Sequence, residues 1–448
     1  MLHADGLGIY SAALGYYALI ALAGGMGSTN FLVREIAKDL SRTTRYVVHL
    51  SVMTSAASAA LTVAFVLALP YLGYSDELSV SMYVIVLAII PGTLNTIQNA
   101  VFVAHQRVEF VTYTTLISTI ANIAISLYLL MSGYGVTSLL IAFVVMQYLV
   151  AIFYFYFINR HIAVLRWEFD FSFALSLLRG VKTFAALSIL GGLFARPEII
   201  ILSLVHTEAQ IGLYSAALRI VDLWHMIPQT FMINVFPVLS RSYHLADQKS
   251  RTIQEKSIKY LLAISLPLSV GMAVTAKPIV SLVYGTNFAN SIPALQLLAW
   301  NVPLFSLSSV LWRVLAARGQ QDLVLRVRII TLFTRLGGGY VLISQFGVVG
   351  AAITAMTNLL FNVFLLIMYI KQDGTQIDLF RTGWRFAISA LGMGIFTWTL
   401  SGHLHLGILV PLAAVVYALL VFLFKAFAPE DIVLLGKIWQ PEITGRSS

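Results

Sequence analysis

Cysteine is absent from all 448 residues. That excludes disulfides, thiol catalysis and cysteine-ligated metal centres. Charge is scarce too. Asp, Glu, Lys and Arg make up 10% of the chain, where a soluble protein of this length carries about a quarter. No polar stretch is long enough to fold as an extramembrane catalytic domain. The glycine clusters Gly24-Gly25, Gly191-Gly192 and Gly337-Gly338-Gly339 lack the strand–turn–helix context of a phosphate-binding loop. No cofactor or metal is expected. Nor is a cleavable signal peptide, because the apolar stretch after Leu7 has spanning length, lacks a basic flank and leads into further spans.

What is present is hydrophobicity. Apolar residues make up 59% of the chain, and the mean hydropathy is +0.87. A bilayer is the solvent that suits this composition, and helices satisfy their own backbone groups within it. The net charge of +9 then reads as basic cytoplasmic loops rather than as a nucleic-acid surface.

At about 20 residues per crossing, thirteen apolar stretches read as spans. They lie near 8–27, 46–72, 80–104, 110–131, 136–158, 183–205, 212–236, 258–280, 294–317, 324–345, 347–370, 385–402 and 405–427. The loops alternate in charge. One set holds Arg34, Lys38, Arg42 and Arg45, then Arg107, then Arg160, Arg166, Arg179 and Lys182. It continues with Arg241, Lys249, Arg251, Lys256 and Lys259, then Arg318, Lys371 and Arg381, and finally Lys437. The opposite set, such as Ser75-Asp76-Glu77 and His206-Thr207-Glu208, has almost no Lys or Arg. The positive-inside rule places the basic set and the C-terminus in the cytoplasm and residue 1 outside.

The chain repeats itself. Gly8-Ile9-Tyr10-Ser11-Ala12-Ala13-Leu14 returns as Gly212-Leu213-Tyr214-Ser215-Ala216-Ala217-Leu218, 204 residues on (212 − 8). Pro91 returns as Pro303, and Gly135-Val136 as Gly347-Val348, both 212 residues on (303 − 91; 347 − 135). The second copy of the motif follows an apolar stretch, 183–205, whereas the first copy has none before it. One helix is therefore expected to be missing at the start, from a parent of six, six and two helices. Halves of six share one topology and enclose a cavity between them. The expected fold is an all-α polytopic membrane protein of two helical bundles around a central cavity. Its parts are an N-terminal bundle at 1–158, an interfacial linker at 159–182, a second bundle at 183–371, two further helices within 385–427, and a cytoplasmic tail at 428–448.

The two repeat motifs, with Val33-Arg34-Glu35-Ile36-Ala37 after the first and Phe236-Pro237-Val238-Leu239-Ser240-Arg241 after the second, give a resemblance. The chain resembles the polysaccharide-exporter branch of the multidrug/oligosaccharidyl-lipid/polysaccharide superfamily, which contains the O-antigen repeat-unit flippases. The resemblance implies a transporter of the bacterial cytoplasmic membrane, not an enzyme. It implies that a polyprenyl-diphosphate-linked oligosaccharide is turned from the inner to the outer leaflet by alternating access. The implied partners are that glycan and the lipid bilayer. A coupling proton or cation and a polysaccharide polymerase are further candidates.

Charges at membrane depth mark candidate sites, since each costs about 2.5–3.5 kcal/mol to insert and so faces protein or water. Within the spans the first half has no Lys, Arg, Asp or Glu at depth, whereas the second has Arg196, Glu198, Arg219, Asp222, Arg313, Arg328 and Arg335. Ser215, Arg219, Asp222, His225 and Gln229 fall within an arc of about 120° on one helix. Arg328 and Arg335 share a helical face, with Thr331 between them. Equal counting from the turn near Glu208 sets Glu198 beside Arg219 and Arg196 beside Asp222. The arginine fork suits a diphosphate, so Arg335, Arg328, Arg219 and Arg313 are candidate headgroup ligands. Arg335, near mid-membrane, leads this set, and Arg313 lies where a side chain snorkels to the cytoplasmic surface. Arg196, Glu198, Asp222 and His225 are candidate cavity charge pairs that serve either as site or as structural struts. Asn95, Gln98, Asn99, Asn122 and Gln147 suit sugar hydroxyls or interhelical hydrogen bonds. Two readings stay open beside the flippase. One is a cation-coupled exporter of drugs or metabolites, the other a membrane-embedded glycan ligase or glycosyltransferase.

Overall fold

A computed structural model describes residues 3–245, 247–372 and 378–427. The expected tail at 428–448, with Lys437, lies outside them. The described residues form helices joined by turns and loops, without a strand, as a chain that crosses hydrocarbon must. Nine helical stretches among them are long and apolar enough to cross a bilayer. The helices assemble into two compact units, Met1–Ser215 with Leu336–Gly350, and Ala216–Arg335 with the described part of Ala351–Ser448.

The first unit runs through α1 (Ala4–Gly24), α2 (Ser28–Lys38), α3 (Thr43–Ala68), α4 (Asp76–Ile85), α5 (Ile89–Ala104), α6 (Val108–Met131), α7 (Val136–His161), α8 (Phe171–Ala195), α9 (Pro197–Val205) and the start of α10 (Glu208–Leu245). Its core brings together Leu32, Ile36, Ile97, Val101, Phe102 and Ile158, all fully buried. Burial is uneven. The apolar window of Asp76–Ala104 is 61% buried, that of Val108–Met131 only 6%. Ile117 and Ile120 on α6 are exposed.

Two boundaries differ from the sequence reading. The stretch 183–205 is two helices, not one. Pro197 opens α9 and disfavours a helical residue before it, so Arg196 adopts φ −151°, ψ 56°. Moreover, α8 begins at Phe171, inside the expected linker. The Asp170 carboxylate caps it, accepting from the Ser172 hydroxyl at 2.7 Å and the Ser172 and Phe173 amides at 2.9 and 3.3 Å. The Ser172 hydroxyl, the Phe173 and Ser172 amides and nearby Arg45 hold the Asp170 carboxyl below its ordinary range. A depressed carboxyl stabilises the fold above its ordinary titration range, and that contribution is lost as pH falls through the depressed value. Thermal unfolding should therefore show an acid limb that Asp170→Asn flattens.

The second unit continues α10 and adds α11 (Asp247–Val274), α12 (Ala276–Val283), α13 (Ile292–Leu298), α14 (Asn301–Ala317), α15 (Gln321–Gln372), α16 (Leu379–Leu400) and α17 (Leu406–Leu423). One core packs Met232, Val310, Leu311, Leu315, Leu366 and Ile370. A second joins α11, α16 and α17 through Val270, Ala390, Met393 and Ala413. The Tyr417 hydroxyl donates to the Ala263 carbonyl at 2.7 Å beside it.

The repeat is visible in the helix register. Helices α5 and α14 start 212 residues apart (301 − 89), and Pro91 and Pro303 are the third residue of each. The α6–α7 turn at Ser132–Gly135 has its counterpart at Gly347, where φ of 52° and ψ of −124° break the otherwise continuous α15. Helices α5 and α14 also end alike. The Arg107 amide bonds to the Phe102 carbonyl at 2.8 Å, and the Gln320 amide to that of Leu315 at 3.0 Å. Each cap needs a left-handed residue. Gly319 supplies it at φ 75° and Gln106 at φ 57°. A side chain there costs about 1–2 kcal/mol, so Gln106→Gly should raise the unfolding temperature and Gly319→Gln should lower it.

Within the first unit the two motif copies meet. A Cβ added to Gly8 would lie 1.8 Å from the Glu208 carbonyl oxygen, and one added to Gly212 would lie 1.8 Å from that of Ala4. Helices α1 and α10 thus cross backbone on backbone at the paired glycines, above the fully buried Ala12, Ala13 and Ile211.

Candidate functional site

Of the charges singled out in the sequence, six lie in the second unit. On α10, Ser215 just ahead of the unit boundary is buried, while Arg219 is exposed and Asp222 and His225 are half-buried. The His225 Nδ1 lies 3.5 Å from an Asp222 carboxylate oxygen, one helical turn apart. The His225 ring packs on Phe305 at 4.3 Å between centroids. Its buried Nε2 has no hydrogen-bond partner among the described residues. Arg219 lies in electrostatic reach of Tyr284, beyond the end of α12. Burial pushes the Tyr284 phenol up, and positive Arg219 opposes the shift.

Arg313 on α14 is half-buried. It donates to the Ser309 carbonyl at 3.0 Å and stacks its guanidinium on Trp312 at 4.5 Å. On α15, Arg328 is exposed and Arg335 half-buried. Thr331 does not share their environment. It is buried, and its hydroxyl donates to the Val327 and Arg328 carbonyls at 2.9 and 3.0 Å. Its own carbonyl accepts from the Asn358 amide at 2.7 Å. Beyond Arg335 on the same helix, a Cβ at Gly337 or Gly338 would meet nothing within 4 Å.

The first unit holds Arg196, exposed at the α8–α9 break, and Glu198, 2% exposed in the first turn of α9, where the helix dipole favours a carboxylate. It also contains a cavity of about 370 Å³ walled by α1, α5, α6 and α7. Asn95, Asn99, Asn122 and Gln147, four of the amides picked out in the sequence, line it. The fifth, Gln98, is buried and donates to the Ala151 carbonyl at 3.2 Å. The sequence reading missed Tyr17, Thr96, Thr119, Phe143 and Tyr154, which also line it. The usable signal was the i, i+3/i+4 spacing of Asn95 with Asn99 and of Thr119 with Asn122. It also missed a polar knot near the α9–α10 turn. There the Tyr16, Tyr74 and Ser203 hydroxyls meet at 2.5–3.2 Å, the Ser75 hydroxyl donates to Glu208 at 2.6 Å, and the His206 Nε2 bonds the Ile343 carbonyl at 2.7 Å. Among the described residues no cluster of His, Asp and Glu is arranged to hold a metal ion.

Two known protein families match the chain. The family described as "Polysaccharide biosynthesis protein" matches residues 1–293, and "Lipid II flippase MurJ" matches residues 198–424. A curated relative in Haloferax volcanii, "Probable low-salt glycan biosynthesis flippase Agl15", is 25% identical over 228 residues, which is 50% of this chain and 48% of that one. A "Probable lipid II flippase MurJ" of Rickettsia prowazekii is 24% identical over 161 residues, covering 34% and 32%. The chain thus spans about half or less of the curated relatives' length. Among solved structures, "Lipid II flippase MurJ, inward closed conformation" superposes with a TM-score of 0.79 at 16% identity, covering 96% of this chain and 94% of the other. An inward-facing multidrug MATE transporter of the MOP superfamily superposes at 0.66 and 17% identity, covering 84% and 95%. At these identities the superpositions establish a shared fold.

Proposed function

The chain belongs to the polysaccharide biosynthesis protein family, within the flippase group of the multidrug/oligosaccharidyl-lipid/polysaccharide superfamily, and from that premise we propose that it flips a polyprenyl-diphosphate-linked oligosaccharide across the membrane. The cargo is a repeat unit of O-antigen or another surface polysaccharide, moved from the cytoplasmic to the outer leaflet of a bacterial inner membrane by alternating access. The observation that carries this reading is the set of arginines on apolar helices of the second unit. Arg313 and Arg335 are held half-buried, and Arg219 and Arg328 stand more exposed. Guanidinium forks bind diphosphate oxygens two at a time, more strongly as water is excluded. The Asp222–His225 pair is the place for a coupling proton. Four arginines stand against one aspartate among these second-unit charges, a balance that suits an anionic headgroup better than a cationic drug, which is why the multidrug reading ranks second. Chemistry on the glycan is not part of the proposal.

The test is flipping in proteoliposomes carrying a polyprenyl-diphosphate-linked disaccharide, read by its accessibility to an outside glycan-modifying reagent. Arg335→Gln combined with Arg328→Gln should slow flipping about tenfold or more, since hydrogen bonds to charged groups contribute about 1.5–3 kcal/mol each. Arg335→Lys should recover only part, because lysine lacks the planar fork. Wild-type vesicles that leave the disaccharide lipid in place but move a cationic dye would overturn the proposal in favour of a multidrug exporter.

A further inference from the structure

We propose that the cavity walled by α1, α5, α6 and α7 in the first unit binds the uncharged, hydroxyl-rich part of the cargo, a sugar ring of the glycan. The proposal rests on the flippase reading and adds to it a subsite separate in kind from the arginines.

The lining decides the ligand class. None of the residues around this cavity of about 370 Å³ carries a charge, so a phosphate finds no cation there and an ammonium ion no carboxylate. Four side-chain amides, from Asn95, Asn99, Asn122 and Gln147, face a single space of small-molecule size. Each amide presents donors and an acceptor at once. That is the complement of a sugar hydroxyl, which also donates and accepts. Thr96 and Thr119 add two hydroxyls of their own. The apolar face of a sugar ring needs a flat surface, and Tyr17 and Phe143 supply it, packed edge to face at 5.1 Å.

Helix packing alone leaves part of this polarity unused. The Asn95 amide nitrogen donates to the Gln147 side-chain and backbone oxygens at 2.8 and 3.1 Å. Its Oδ1, buried, accepts no hydrogen bond among the described residues. A buried acceptor left this way costs about 1–3 kcal/mol, a cost that a ligand hydroxyl removes. Tyr17 is held in place by a missing side chain. A Cβ at Gly92 would lie 2.1 Å from its hydroxyl, so Gly92 is the residue that lets the phenol stand at the cavity wall.

Two probes separate this subsite from the diphosphate site in the full chain held in nanodiscs. One is farnesyl diphosphate, the other farnesyl diphosphate bearing an N-acetylglucosamine disaccharide. Asn95→Leu and Asn122→Leu should each weaken binding of the disaccharide probe about tenfold or more and leave farnesyl diphosphate within twofold. If the wild type binds both probes and the leucine variants bind the disaccharide probe unchanged, the subsite is wrong and the flippase reading stands. If the wild type binds neither probe, the flippase reading falls and the subsite with it. Because the chain has no cysteine, Asn122→Cys gives a second readout that changes little in volume. The disaccharide probe should slow maleimide labelling of that thiol at least fivefold and farnesyl diphosphate should not. Equal labelling with and without the disaccharide would also overturn the subsite.

Discussion

Gly8→Ala should cost at least about 3 kcal/mol and remove most folded protein at physiological temperature, and Gly212→Ala should do the same. The reason is the nature of the obstructing atoms. Each new methyl would fall 1.8 Å from a main-chain carbonyl oxygen of the other helix, far inside any real contact. A flexible side chain can swing away from an intruder, but a helical carbonyl moves only with its helix. Overpacking of ordinary cores costs about 1–3 kcal/mol, and here the whole crossing must open. That opening would also uncover Ala12, Ala13 and Ile211, which are fully buried. Gly191→Ala and Gly402→Ala are the controls, since a Cβ at either meets nothing within 4 Å. Fluorescence-detected size exclusion after heating reads the difference. Unfolding temperatures for Gly8→Ala and Gly212→Ala equal to those of the controls would show that the helices do not cross here.

His49→Ala should destabilise by roughly 3–5 kcal/mol. The imidazole is completely buried and uses both nitrogens. Nδ1 donates to the Arg45 carbonyl at 2.6 Å, so Nε2 is the acceptor for the Asp170 amide at 2.8 Å. The ring stacks on Phe169 at 5.0 Å and meets Phe173 edge-on at 4.9 Å. Arg45 closes the cluster with its guanidinium 4.1 Å from the Phe173 centroid and 3.1 Å from the Asp170 carboxylate. Truncating a buried ring costs about 3–5 kcal/mol, as for Phe or Trp, and the orphaned Asp170 amide contributes part of it. His49→Leu restores volume but not the acceptor, so it should recover about half the loss. A His49→Leu variant as stable as the wild type would mean that the Asp170 hydrogen bond contributes nothing.

The helices were legible because hydropathy and length are local properties. So was the repeat, down to the prolines that open α5 and α14. Pro197 marks a bend in 183–205, but apolar character runs straight through it, so the stretch reads as one span rather than as two helices. The start of α8 escaped because Phe171 and Phe173 read as an interfacial run, while the capping Asp170 before them went unused. In the candidate site, residue chemistry was readable and environment was not. Nothing in the spacing of Arg328, Thr331 and Arg335 says that the threonine turns inward, since that depends on Asn358 and the α15 backbone. Tyr17 belongs to the amide cavity only through its approach to Gly92, a contact between residues 75 positions apart (92 − 17).

The crossing at Gly8 and Gly212 also sets a schedule for biosynthesis. The surface of α1 that it covers is made before its cover, which follows 204 residues later (212 − 8). At about 5–20 residues per second, α1 waits on the order of 10–40 s with that face unsatisfied. During this interval the nascent chain depends on the insertion machinery to shield it. A ribosome stalled between α7 and α10 should therefore leave a fragment that membrane proteases clear quickly, while one stalled after α10 should leave a fragment that survives.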